Sequence, residues 1–156
     1  SIFALHGPLE VVTAAAIHLG QYDVAEAAAR RHDTLPPGQA TDPDLHQAER
    51  QVEIARAQVG QGKRAEARAT LEPALAFLKE RAGTGTTSLG LRQGLAQALY
   101  VAALAQADDA AGLEERRRLL DQASAMLAGA SAEALQLRTM RELSEEIATA
   151  RRTSGG

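Results

Sequence analysis

The chain has 156 residues, 45% of them hydrophobic and only 3% aromatic, with a net charge of −3 and no cysteine. That size and apolar content suit one domain with a sizeable core, and the charge balance lacks the basic excess of a nucleic-acid binder. The absence of cysteine excludes a disulfide framework and a thiolate metal site but leaves the compartment open, and no apolar run approaches the roughly 18 residues of a membrane span.

Alanine occurs 34 times. It is the best helix former, and its small side chain lets helices approach closely. The β-branched and aromatic residues that strands want are scarce. The fold class expected is therefore all-α. Fifteen arginines against two lysines, Lys63 and Lys79, together with the Ala and Gly richness, point to a GC-rich bacterial genome. The opening at Ser1 and the closing Thr153-Ser154-Gly155-Gly156 are what a piece of a longer protein would show.

In chain order, the apolar spacing predicts a first helical pair over 8–19 and 23–32, joined at Gly20-Gln21-Tyr22, with Gly20 as helix C-cap. A break follows at Leu35-Pro36-Pro37-Gly38 and continues through Thr41-Asp42-Pro43. Asp42 is a good N-cap and Pro43 a good first residue for the next helix. That helix should run to about Val59, turn at Gly60-Gln61-Gly62, and be followed by a partner from Lys63 to about Arg81. Pro73, inside that partner, should kink it by clashing with the carbonyl of Ala69. Ala82-Gly83-Thr84-Gly85-Thr86-Thr87-Ser88 is a second break. The third pair is predicted over 88–107 and 113–128, with a turn at Asp108–Gly112. After Gly129, Ser131 should N-cap a last amphipathic helix over about 132–152, with Leu135, Met140, Leu143 and Ile147 as its apolar stripe.

Helical hairpins with short glycine turns, repeated along one chain, mean a stacked array. Gly20-Gln21-Tyr22-Asp23-Val24-Ala25 resembles the tetratricopeptide turn pattern Gly-x-Tyr-x-x-Ala, with Pro37 at the family's closing proline. Gly62-Lys63-Arg64-Ala65-Glu66-Ala67, followed by Leu71 and Ala74, repeats it with Arg64 in place of the tyrosine. Ala55 stands where the family wants a small residue. Thr13 and His32 depart from the pattern, and so does Arg116 in the third hairpin. Gly20 and Gly62 are 42 residues apart, against about 34 in a regular repeat.

The resemblance implies a right-handed stack of antiparallel hairpins, at about 8–32, 43–81 and 88–128. A C-terminal helix would cap it, and the whole of 1–156 would form one domain. It also implies a function: binding a peptide or protein in the concave groove lined by the first helix of each hairpin. Carried over turn by turn, the groove face comprises Glu10, Ala14, Ile17 and His18, then Glu49, Val52, Arg56 and Val59, then Ala98, Val101, Ala105 and Asp108. Its acidic excess would favour a partner with basic and apolar side chains. The alternative is a dimerisation or sensor module of a larger bacterial signalling protein (a kinase, cyclase or winged-helix regulator). There the exposed opening residues Ile2, Phe3 and Leu5 would dock on another domain or a second copy.

No catalytic constellation, cofactor motif or metal-ligand set emerges. His6, His18, His32 and His46 are 12 to 14 residues apart, too far for a local metal pair; His18 and His32 are expected at helix ends, where the dipole favours an imidazolium. Gly60-Gln61-Gly62-Lys63-Arg64 lacks the Ser or Thr of a phosphate loop and follows no strand. Glu145-Glu146 and Asp108-Asp109 are sequence neighbours, and on a helix neighbours point about 100° apart, so neither makes an acid–base dyad. Arg116-Arg117-Arg118 reads as a solvated face, with Glu114 and Arg118 paired at i, i+4.

Overall fold

The structure is a computed structural model that describes residues 3–36, 42–85 and 87–155. Ile2, Pro37, Gly38, Thr41 and Thr86 lie outside the described residues, as do the side chains of Phe3, Leu5 and His6. Every regular element among the described residues is helical: α1 (Phe3–His18), α2 (Tyr22–Asp33), α3 (Pro43–Gly60), α4 (Arg64–Gly83), α5 (Leu89–Leu104), α6 (Ala110–Ala128), a 3-10 turn over Ala134–Gln136, and α7 (Arg138–Ser154). The chain divides into two compact units, Ser1–Ala74 and Leu75–Gly156, with the division one residue beyond Pro73. Helix α4 continues through Pro73 without interruption.

In the first unit α1 packs on α2 and α2 on α3. The two glycine turns have the same construction. At the first, Gly20 has φ +72°; its N–H donates to the Ile17 carbonyl (3.1 Å) and the next N–H, of Gln21, to the Ala16 carbonyl (2.8 Å). At the second, Gly62 has φ +77°, its N–H donates to the Val59 carbonyl (2.9 Å), and that of Lys63 to the Gln58 carbonyl (2.9 Å). This is the Schellman arrangement, which satisfies two of the last helical carbonyls and needs a residue without a Cβ in the left-handed region. In both, the alanine five residues beyond the glycine donates back to the residue after the glycine, Ala25 to Gln21 and Ala67 to Lys63, each at 3.0 Å.

Both of those alanines are fully buried, as is Ala55. Ala16, Ala25 and Ala57 form a cluster with Ile17 against it. A core of this kind works because methyl side chains let helix backbones approach. Thr13, on α1, is also fully buried. It remains satisfied because its hydroxyl donates to the Leu9 carbonyl one turn back, at 2.8 Å. His32 is buried in the last turn of α2 and His18 ends α1.

In the second unit α5 packs on α6, and α6 on α7. Helix α5 starts at Ser88, whose Oγ accepts from the Leu91 N–H at 3.2 Å, and α6 at Asp109, whose carboxylate accepts from the Gly112 N–H at 2.7 Å. Most of α5 is buried: Leu91, Leu95, Leu99, Tyr100 and Val101 are core residues. Met140, Leu143 and Ile147, one stripe of α7, are buried as well, each contributing about 1.5–3 kcal/mol by leaving water.

Four boundaries differ by three residues or more from the expectation, the first being the end of α5, at Leu104 instead of 107. α1 begins five residues before residue 8, because Pro8 sits early enough in the helix that only the Ala4 carbonyl loses its helical partner. α6 begins at Ala110, taking in Gly112 that was expected in the turn. The last helix begins at Arg138 instead of about 132: Ser131 Oγ accepts from the Ala134 N–H at 3.1 Å and so caps the 3-10 turn, and Leu137 is extended (φ −62°, ψ 135°). Leu135 therefore lies outside α7, half-buried, while the other three stripe residues are in it.

Candidate functional site

The first unit carries a carboxylate cluster built on α1 and α3. Along α3, His46, Glu49, Glu53 and Arg56 recur at intervals of three and four residues, which places them on one helical stripe. The stripe lies beside the buried face of Ala48, Val52 and Ala55, so its members are half-buried rather than solvated. His46 Nδ1 lies 3.2 Å from Glu49 Oε2. Arg50 is drawn the other way, its Nε donating to Asp33 Oδ1 at the end of α2 (3.4 Å), with Gln51 Nε2 donating to Asp33 Oδ2 (2.9 Å).

Glu53 is the exceptional member. Its Oε2 is buried and has no hydrogen-bond partner. Burial pushes its carboxyl up to about 7; the like charges of Glu10 and Glu49 push the same way and Arg50 opposes them. Glu49 is also raised, first by burial and further by Glu10, with His46 and Arg50 opposing. Glu10, on α1, thus acts on both α3 carboxylates. Elsewhere in the unit the pattern is reversed. Glu26 on α2 is pushed up by burial, but hydrogen bonds from Arg30 (2.7 Å) and Gln61 (2.8 Å) and the charges of Arg30 and Lys63 outweigh this and hold it below the usual range.

Tyr22 anchors one end of the stripe. Its ring lies where a Cβ at Gly60 would be, so any side chain at Gly60 would collide with it. The Arg56 guanidinium stands over the same ring, 5.4 Å from its centroid, a contact of about 0.5–1 kcal/mol at a partly exposed site.

Of the expected groove residues, Glu10, Ile17, His18, Glu49, Val52, Arg56 and Val59 fall in the first unit, Val101 and Asp108 in the second. Glu10 is near enough to Glu49 for its charge to raise that carboxyl. Glu10 and His18 are exposed; Ile17, Glu49, Arg56 and Val59 are half-buried. Val52 is 2% exposed and Val101 0%, so these two pack inside and present no surface. Asp108 is exposed and accepts from Arg116 Nη2 at 3.3 Å. Glu53 was missed. Extending the stripe from Glu49 by one turn would have found it, but the adjacent Val52 occupied that place in the expected face.

The arginine run is not one solvated face. Arg118 pairs with Glu115 at i, i+3, not with Glu114. Arg116 Nε donates to the Ala103 carbonyl (3.2 Å) at the end of α5, and Arg117 Nε to the Ser154 carbonyl (2.7 Å) at the end of α7. Among the described residues no group of three or more His, Asp or Glu is placed to hold a metal ion, and no helix is long and apolar enough to cross a membrane. Comparison with protein-family models, with curated proteins and with solved structures finds no match to this chain.

Proposed function

We propose that this chain is a protein-binding scaffold. In this reading it is a right-handed stack of tetratricopeptide-like hairpins closed by α7, and it receives a partner bearing basic and apolar side chains on the Glu10–Glu49–Glu53 face. One observation carries the proposal: Glu53 Oε2 is out of water, without a hydrogen-bond donor, and among like charges. A lysine or arginine laid by a partner over Glu10 and Glu49 supplies the positive charge that this group of carboxylates lacks and lets Glu53 ionise beneath it. Half-buried Ile17 and Val59 add apolar area. The repeat reading is supported by the matched construction of the Gly20 and Gly62 turns and by the burial of Ala25 and Ala67. The test is titration of the chain with a labelled amphipathic peptide rich in Lys and Arg, beside its Glu-substituted twin. Saturable binding of the basic peptide alone, weakened about tenfold by Glu49→Lys, is the expected result; equal binding of both peptides would reject the acidic face.

A specific observation favours the alternative, a dimerisation or docking module. Val11 (68% exposed) and Val12 (43%) lie on α1, Leu19 (67%) in the turn that follows, and Val24 (43%) in the first turn of α2. Exposed apolar residues grouped along one stretch of chain mark interaction surfaces. Light scattering separates the two: a concentration-independent monomer rejects self-association through α1, and a dimer lost in Val11→Asp supports it.

A further inference from the structure

We infer that the groove between α6 and α7 in the second unit is a binding site for a phosphate monoester, held by Arg117, Arg151 and Arg152. The groove has a volume of about 490 Å³ and is lined by Arg117, Leu120, Asp121, Ala148, Arg151 and Arg152. The two helices are antiparallel, since Arg117 reaches Ser154 while Arg151 reaches Ser124 and Asp121. That pairing sets Arg117 of α6 opposite the end of α7, and Arg117, Arg151 and Arg152 all line the groove.

Each of the three is positioned by a contact that leaves donors over. Arg117 is held through Nε on the Ser154 carbonyl at 2.7 Å, so both its terminal nitrogens remain available. Arg152 is held through one terminal nitrogen on Thr149 Oγ1 at 3.0 Å. Arg151 is fixed on both sides, by Ser124 Oγ at 3.2 Å and by Asp121 Oδ1 at 3.0 Å. Asp121 is the one acid in the lining and is engaged by Arg151, while Arg117 and Arg152 form no ion pair with any described carboxylate. Three cations against one anion leave two positive charges in a chain whose overall charge is negative.

Two uncompensated guanidinium groups match the dianion of a phosphate monoester, which presents three acceptor oxygens to planar forks of donors. A single carboxylate would satisfy only half of that charge. Pinning the arginines beforehand lowers the ordering cost of binding. Half-buried Ala148 gives an apolar contact for the organic part of the ester, over the buried Leu120. One contact, Arg117 to the Ser154 carbonyl, also serves the end of α7, but the remaining donors of Arg117 and Arg152 have no such structural use.

The test is isothermal titration of the whole chain at low salt with inorganic phosphate, phenyl phosphate, and a phosphoserine peptide beside its unphosphorylated twin. The three phosphates should bind saturably and the unphosphorylated peptide should not. Tighter binding of phenyl phosphate assigns the group to a small molecule, and tighter binding of the phosphopeptide to a modified protein; either supports the site. Arg117→Gln with Arg152→Gln should lower affinity at least about tenfold, with circular dichroism showing that the variant stays helical. Arg138→Gln with Arg141→Gln removes the same charge from the start of α7 and should leave binding unchanged. Equal losses in the two double variants would mean bulk charge and no site. Absence of saturation below about 10 mM phosphate, a free energy of under about 3 kcal/mol, would equally overturn the inference.

Discussion

The two units use charge in opposite ways. In the second, arginines close helix ends: Arg116 takes the Ala103 and Gln106 carbonyls, Arg117 takes Ser154, and Arg92 takes the Met126 carbonyl at 2.8 Å. Charge there completes backbone hydrogen bonding, and α5 to α7 bury their Leu and Met residues around it. In the first, the core is mostly alanine, and Glu53 is buried near Glu10 and Glu49 without a donor for its Oε2. A charge that satisfies carbonyls stabilises a fold, whereas a carboxylate left without its donor costs stability. The difference teaches where to look for function: at the group whose local needs the fold does not meet.

The largest expected effect lies in the second unit. Met140 is fully buried on α7, and Met140→Ala should cost about 2–5 kcal/mol, measured by urea unfolding. A loss below about 1 kcal/mol would mean that α7 is loosely attached. Next comes the alanine core of the first unit. Ala67 is 0% exposed, so Ala67→Leu should overpack and cost on the order of 1–3 kcal/mol. An unchanged melting temperature would contradict the close approach of helices in that unit.

The third prediction concerns pH. The folded-state pKa of Glu53 is raised from 4.5 to about 7. Through that window the folded chain holds a proton that the unfolded chain has released, so stability falls as pH rises from the lower value to the upper and levels off beyond it. The contribution is on the order of 3 kcal/mol. Glu53→Gln keeps the shape without the charge. It should leave stability at about pH 4 nearly unchanged and raise it at about pH 8, with most of the slope removed. Equal stability of wild type and variant at both ends would show that Glu53 is not held out of water. The smallest effect is expected at the stripe's outer members. Glu49→Lys should change folding stability by no more than about 0.5–1 kcal/mol while reducing association with a basic partner, mainly through the on-rate.

Much of the helical layout was legible in the sequence because its signals are local. Gly20 and Gly62 mark their turns because only glycine enters the left-handed region cheaply. Asp42 marks the start of α3, its carboxylate accepting from the Leu45 N–H at 3.2 Å. The start of α7 was misplaced because Ser131 is an equally good cap for a 3-10 turn, and nothing local separates the two uses. The candidate site was legible only in part. Glu10 and Glu49 followed from the resemblance of the turns, but neighbouring residues on a helix point about 100° apart. Whether Val52 or Glu53 is the more exposed depends on where α1 and α2 lie against α3. The fates of Arg116, Arg117 and Arg118 were hidden for the same reason. Three adjacent arginines point in three directions, and their acceptors are up to 37 residues away.

The most direct test of the acidic face is an NMR titration of the chain with an amphipathic Lys- and Arg-rich peptide, at about 20 and about 200 mM salt. The account predicts shifts confined to the α1 and α3 residues around Glu10, Glu49 and Glu53, a lowered Glu53 pKa in the complex, and weaker binding at the higher salt. Shifts centred on Val11 and Leu19, indifferent to salt and to Glu49→Lys, would contradict it.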